Sequence, residues 1–319
     1  MKHPIRETAM IREARTGGRG FSLGVECMIF LGVFFVGQML SAIPVALATV
    51  IWIFTGNFND MFASEQGLDQ IMGKMPDWLI LVQLFATVLP IIVSVLFCRW
   101  FEKRSPASMG LRRGGVWKEY LVGVAIGVVM ISLCVGLGAV LGVIRLELTA
   151  FSFGTWILFL LGFLIQGASE EILCRGYMML SMARKNPIWL AVVSNAVMFS
   201  LLHVFNPGIG VLPLLNIALF GAFISVYVLK RGNLWGACAI HSFWNFFQGN
   251  VFGINVSGTA AGASPLSATV SEGMSWLSGG GFGIEGGVIT TVVSATALLL
   301  AIFVMPSNQR EVVREENFI

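Results

Sequence analysis

Uncharged apolar runs dominate this chain, and short polar stretches separate them. Eight are long enough to predict elements: residues 27–54, 78–98, 120–144, 153–182, 187–205, 209–229, 234–252 and 288–305. About 20 apolar residues cross a hydrocarbon core as a helix, so each run reads as a membrane span. The runs are continuous and lack period-2 alternation, which selects helices over barrel strands. The first and fourth runs are long, which implies tilt, extension beyond the bilayer or a kink; Pro44 would serve as a kink in the first. The predicted fold is all-α, a polytopic transmembrane helical bundle of about eight spans. The first run is too long for a signal-peptide core and is read as a retained span.

Composition agrees. Apolar residues make up 56% and charged residues 12% of the 319, whereas a soluble domain needs about a quarter charged. The protein is therefore expected to be a multi-pass integral membrane protein, of a bacterial cell membrane, with lipid as a partner. Charge placement then orients it. Lys2, Arg6, Arg12, Arg15 and Arg19 precede the first run; Lys103, Arg104, Arg112, Arg113 and Lys118 lie between the second and third. Arg184 with Lys185, Lys230 with Arg231, and Arg310 with Arg314 follow runs four, six and eight. The intervening loops hold only Lys74 and Arg145. Every second loop is basic, so the positive-inside rule predicts both termini in the cytoplasm. The net charge of +3 is the sum of those loops and implies no nucleic-acid partner.

The chain divides into a basic cytoplasmic segment (1–26), two spans with an external loop (27–104), a membrane core (105–253), and a last part (254–319). That last part holds an external Gly/Ser-rich loop, the final span and a cytoplasmic tail. Residues 255–283 read as a flexible connector rather than a lid. The 55–77 segment, with Asp60, Glu65, Asp69 and Asp77, reads as a solvated external loop. Cys27, Cys98, Cys134, Cys174 and Cys238 show no paired or metal-like spacing and read as packing residues. Glu26 is expected at the interface.

Ionisable residues inside spans are costly and hence functional candidates. They cluster here. The fourth run contains QGASEEILCRGYMM with Glu170, Glu171 and Arg175; the fifth ends its polar content at His203; the seventh carries His241 and Asn245. Glu171 and Arg175 are spaced i,i+4 and can pair on one face. Glu170 lies about 100° round the helix from Glu171, free to face a cavity. His241 and Asn245 again stack one turn apart, and Phe199 lies one turn from His203. A partly buried carboxylate suits a general base, a histidine can hold water, and two preorganised donors can stabilise an oxyanion. Cys174 lies i,i+4 from Glu170, but apolar surroundings disfavour the thiolate that a nucleophile needs.

Glu170-Glu171-Ile-Leu-Cys-Arg175 is an EExxxR motif, Phe199 to His203 is FxxxH, and His241 to Asn245 is HxxxN. In this order on successive helices they resemble the CPBP family of type II CAAX prenyl proteases and bacteriocin-processing, Abi-like proteins. The resemblance covers about residues 105–248. It implies a glutamate-dependent intramembrane endopeptidase acting on membrane-associated or lipidated peptides or proteins. Under it, Glu170 is the base, His203 its partner on the water, and His241 with Asn245 the oxyanion site. Glu171 and Arg175 shape the cavity, and Phe199 walls it.

No cofactor is expected. The alternative within the same chemistry makes Glu170, Glu171, His203 and His241 ligands of a zinc ion. A second alternative is a non-catalytic chaperone or immunity factor, and a third is a transporter using the cluster as a relay.

Overall fold

A computed structural model describes residues 8–18, 20–57, 75–260, 262–271 and 273–307. His3, Lys2, Arg6, Arg19, Lys74, Arg310, Arg314 and Glu272 lie outside the described residues, as do Asp60, Glu65 and Asp69 of the first external loop. All eight apolar runs are helical over most of their length. The order is α1 (Ala9–Thr16), α2 (Leu23–Trp52), α3 (Asp77–Ala86), α4 (Val88–Trp100), α5 (Val116–Val140), β1 (Ile144–Leu148) and α6 (Phe153–Glu171). There follow α7 (Leu180–Ala183), α8 (Ile188–Leu201), α9 (Val211–Arg231), α10 (Trp235–Asn250), β2 (Leu266–Val270), α11 (Ser275–Ser278) and α12 (Val288–Phe303).

Among the described residues, five helical stretches are long and apolar enough to cross a membrane: Leu23–Thr55, Asp77–Trp100, Val116–Val140, Phe153–Ala183 and Val211–Arg231. By contrast α8 has 14 residues and α10 and α12 have 16 each. At 1.5 Å per residue these reach about 21–24 Å, less than a hydrocarbon core of about 30 Å. The eight expected spans thus become five full-length helices and three shorter ones.

The apolar surface points outward. Met28, Phe35, Met39, Ile43 and Leu47 of α2 are exposed, while a stripe of Glu26, Phe30, Val33, Gly37 and Ser41 is buried. A surface this apolar needs lipid around it, and the protein is an integral membrane protein. Pro44 lies inside α2, which remains helical through it.

α10 sits at the centre, packed on α5 and α6. Small residues allow the approach, as is usual between membrane helices. A Cβ on Gly127 of α5 would lie 2.5 Å from Ile240 O, and one on Gly167 of α6 would lie 2.4 Å from Ser242 Oγ. Neither helix could close on α10 with a larger residue there.

Three local outcomes differ from expectation. Residues 255–283 are built rather than a plain connector: β2 pairs antiparallel with β1, with Leu146 opposite Ala268. Phe282 is buried there, and Asn216 Nδ2 donates to the carbonyls of Glu285 and Gly287 at 2.7 and 2.9 Å. Glycines that looked like linker material instead let the chain turn tightly over the bundle. Ile144 belongs to β1 rather than to the preceding helix. Finally, Glu26, expected only as an interfacial residue, is buried against the protein, where its carboxylate accepts from the Phe21 N–H at 2.9 Å.

Several basic residues counted as loop charges are also structural. Arg104 and Arg184 pair with buried Glu102 at 2.7 and 2.9 Å, and Arg231 pairs with Glu119. The segment before α2 docks rather than trailing: Met10, Ile11 and Ala14 of α1 are buried, and Glu13 pairs with Arg112.

Candidate active site

α6 carries two adjacent glutamates into different surroundings. Glu171 is fully buried, and its Oε1 accepts from Arg175 Nη1 at 2.8 Å and from His241 Nδ1 at 2.8 Å. Arg175 Nη2 donates to the Gly221 carbonyl at 3.2 Å, and its guanidinium lies 4.2 Å over the Phe199 ring. Hydrogen bonds and a cation–π contact thus offset much of a charge that lipid could not solvate, and leave Glu171 Oε2 and Arg175 Nε enclosed without partners.

The backbone changes character directly after this pair. Residues Ile172–Met179 form a π-helix, where a continuous α-helix was expected. Such wide turns concentrate at functional sites. The Glu171–Arg175 contact survives it.

Glu170 turns into a cavity of about 310 Å³, with its side chain 31% exposed. Its Oε1 accepts from Gln166 Nε2 at 2.5 Å, while Oε2 is enclosed without a hydrogen-bond partner. That oxygen faces two imidazoles, His241 Nε2 at 3.7 Å and His203 Nε2 at 3.9 Å. Both gaps are too long for a direct hydrogen bond and suit one bridging atom.

His203 lies just past the end of α8, which stops at Leu201 rather than at residue 205. Its Nδ1 is 2.8 Å from the Phe199 carbonyl, one of the unpaired carbonyls at the helix end. A carbonyl only accepts, so Nδ1 donates to it and Nε2 is the ring atom turned toward Glu170. Phe199 packs edge-on against His203 and His241, with centroids 5.0 and 6.0 Å apart.

Asn245 Nδ2 donates to Gln166 Oε1 at 2.9 Å, which closes a chain from Asn245 through Gln166 to Glu170. The second N–H of the Asn245 amide is left for a ligand. Glu170, His203, His241, Asn245 and Phe199 therefore line one cavity, while Glu171 and Arg175 stand behind His241.

Gln166 was not singled out by the motif reading. The i,i+4 spacing used for Glu171 and Arg175 would have found it, since Glu170 lies one turn on. Glu285 also escaped notice. It accepts from the Ser257 N–H and hydroxyl, each at 2.8 Å, and from Trp244 Nε1 at 3.1 Å, pinning the 256–259 turn beside His203. No spacing rule connects it to the motifs.

Both histidine Nδ1 atoms are engaged elsewhere than at Cys174, which is buried. Of the four residues of the zinc alternative, Glu170, His203 and His241 line the cavity and Glu171 is engaged behind it. Glu171 Oε1 is taken by Arg175 and His241, and among the described residues no three His, Cys, Asp or Glu side chains converge as metal donors.

No curated protein and no solved structure matches the chain. Residues 152–247, which hold all three motifs, match the family model for type II CAAX prenyl endopeptidase Rce1-like proteins.

Proposed function

We propose that the protein hydrolyses peptide bonds of membrane-associated or lipidated substrates, with a water activated by Glu170. The observation that carries this reading is the unpartnered Glu170 Oε2 facing two imidazole nitrogens at 3.7 and 3.9 Å inside a cavity. A water in that gap donates one hydrogen to Glu170 and the other to His203 Nε2. Its lone pair then points into the cavity. Attack on a peptide carbonyl forms the new C–O bond, and Glu170 takes the proton.

His241 and the free Asn245 N–H receive the oxyanion. Donation from His241 Nε2 requires the doubly protonated ring, with Nδ1–H held on Glu171 and the charge balanced by the two carboxylates. Glu170 then returns its proton to the leaving amine as the C–N bond breaks. The products are a carboxylate and an amine, and no cofactor takes part.

Positioned acid–base groups contribute about 10²–10⁴-fold to rate. Purified Glu170→Gln protein should therefore cleave a fluorogenic farnesylated CAAX peptide at least about a hundredfold slower than the parent. Equal rates would remove Glu170 as the base, and full biological activity of that variant would favour a non-catalytic binding factor. Inactivation by a tight chelator with recovery on zinc addition would instead favour the metal-dependent version. The alternating basic loops support cytoplasmic termini, and a bacterial cell membrane is the proposed location.

A further inference from the structure

Two glutamines that line the cavity have no assigned role. Gln38 of α2 and Gln83 of α3 line the same space as Glu170. Their positions on the helices are regular. Phe34 and Gln38 are one turn apart, and Ile80, Gln83, Leu84 and Thr87 follow the i,i+3,i+4,i+7 pattern of a single face. Both residues lie in stretches long and apolar enough to span a membrane.

Among the described residues neither amide has a hydrogen-bond partner, and neither is among the enclosed orphan atoms. Gln38 is exposed and Gln83 is half-buried, and both line the cavity. Gln166, which lines the same cavity with both its oxygen and its nitrogen engaged, shows the satisfied arrangement. An amide placed in an apolar span is costly unless something pairs with it.

We propose that Gln38 and Gln83 dock the backbone of an extended apolar peptide, holding it across from Glu170. Each side chain offers a donor and an acceptor in one plane, the complement of a peptide group. Apolar walls from Phe34, Leu84, Phe159 and Phe163 take the side chains of the bound segment. Both glutamines precede the 152–247 family match, so substrate selection lies in spans outside the motif core. The inference rests on the endopeptidase reading, but its test reads binding rather than cleavage.

The probes are a fluorescent farnesylated CAAX peptide and its unlipidated counterpart, bound to full-length Glu170→Gln protein in vesicles. Adding Gln38→Leu and Gln83→Leu should raise the Kd for the peptide about tenfold, the loss expected for two hydrogen bonds. The same substitutions should leave the ligand-free melting temperature unchanged or higher, because they remove unpaired amides from apolar surroundings. An unchanged Kd overturns the proposal, as does failure of the Glu170→Gln protein to bind either peptide. A lowered melting temperature also overturns it, since the amides would then be holding the fold together. Cleavage by Glu170→Gln protein would sink the catalytic reading while leaving the binding comparison intact.

Discussion

Adjacent glutamates with opposite environments organise the chemistry at the level of single residues. Glu171 spends its charge on Arg175 and on the Nδ1 proton of His241. Glu170 keeps one oxygen on Gln166 and leaves the other without a partner, facing the two imidazoles. Removing one partner of a buried pair strands the other, at a cost of about 3–5 kcal/mol. Arg175→Met should therefore lower thermal stability in detergent strongly, and Glu171→Gln added to it should recover much of the loss. If Arg175→Met melts like the parent, the pair is not structurally important. Gln166 acts through Glu170 and Asn245, which makes it a positioning residue. Gln166→Leu should lower kcat about tenfold with a smaller change in KM, as expected when an orienting hydrogen bond is lost but the binding walls remain. The glutamates, histidines and Asn245 were legible from sequence because charge in an apolar run is conspicuous. Gln166 was legible in principle by its spacing. Glu285 was not, because its partners Ser257 and Trp244 are brought to it only by folding.

At the level of elements, backbone proximity decides whether the motifs meet. Gly167 lies one turn before Glu171, where α6 touches α10 at Ser242, next to His241. Gly167→Val should push the helices apart and break the Glu171–His241 contact, abolishing peptide cleavage while leaving the helical content seen by circular dichroism unchanged. Gly127→Val loosens α5 from α10 on the opposite side. Overpacking of this sort costs about 1–3 kcal/mol, so a lower melting temperature with partial activity is expected. A variant that melts and cleaves like the parent would show that the close approach is dispensable. The runs of apolar residues predicted where helices lie, but not the π-turns after Glu171 or the stop of α8 at Leu201. Those depend on tertiary partners: Arg175 reaching Gly221 and Phe199, and the His203 ring taking the Phe199 carbonyl.

At the scale of the whole molecule, the bundle is apolar outside and carries its polar groups inside, as lipid as a solvent requires. α5 separates two exposed positions, Arg113 before it and Glu147 in β1 after it. With cytoplasmic termini, a membrane-impermeant maleimide applied to intact cells should label Glu147→Cys and spare Arg113→Cys. The reverse pattern would invert the orientation. The 255–283 segment, expected as a plain connector, instead contributes Val256, Ser257 and Thr259 to the cavity wall. It folds over the bundle because Leu266, Phe282 and Ile284 sit among its glycines and Glu285 and Asn216 pin it.

Sequence alone determined the membrane setting, the positions of the helical runs and the residues that carry charge into them. These follow from local composition, since transfer of an apolar run into lipid and the cost of a buried charge depend on the residue type and not on its neighbours in space. Tertiary structure decided which of two adjacent glutamates faces the cavity, where each helix stops, and which amides the fold leaves unpaired. Those are questions of distance between segments far apart in the chain, and only the closeness of α5 and α6 to α10 answers them.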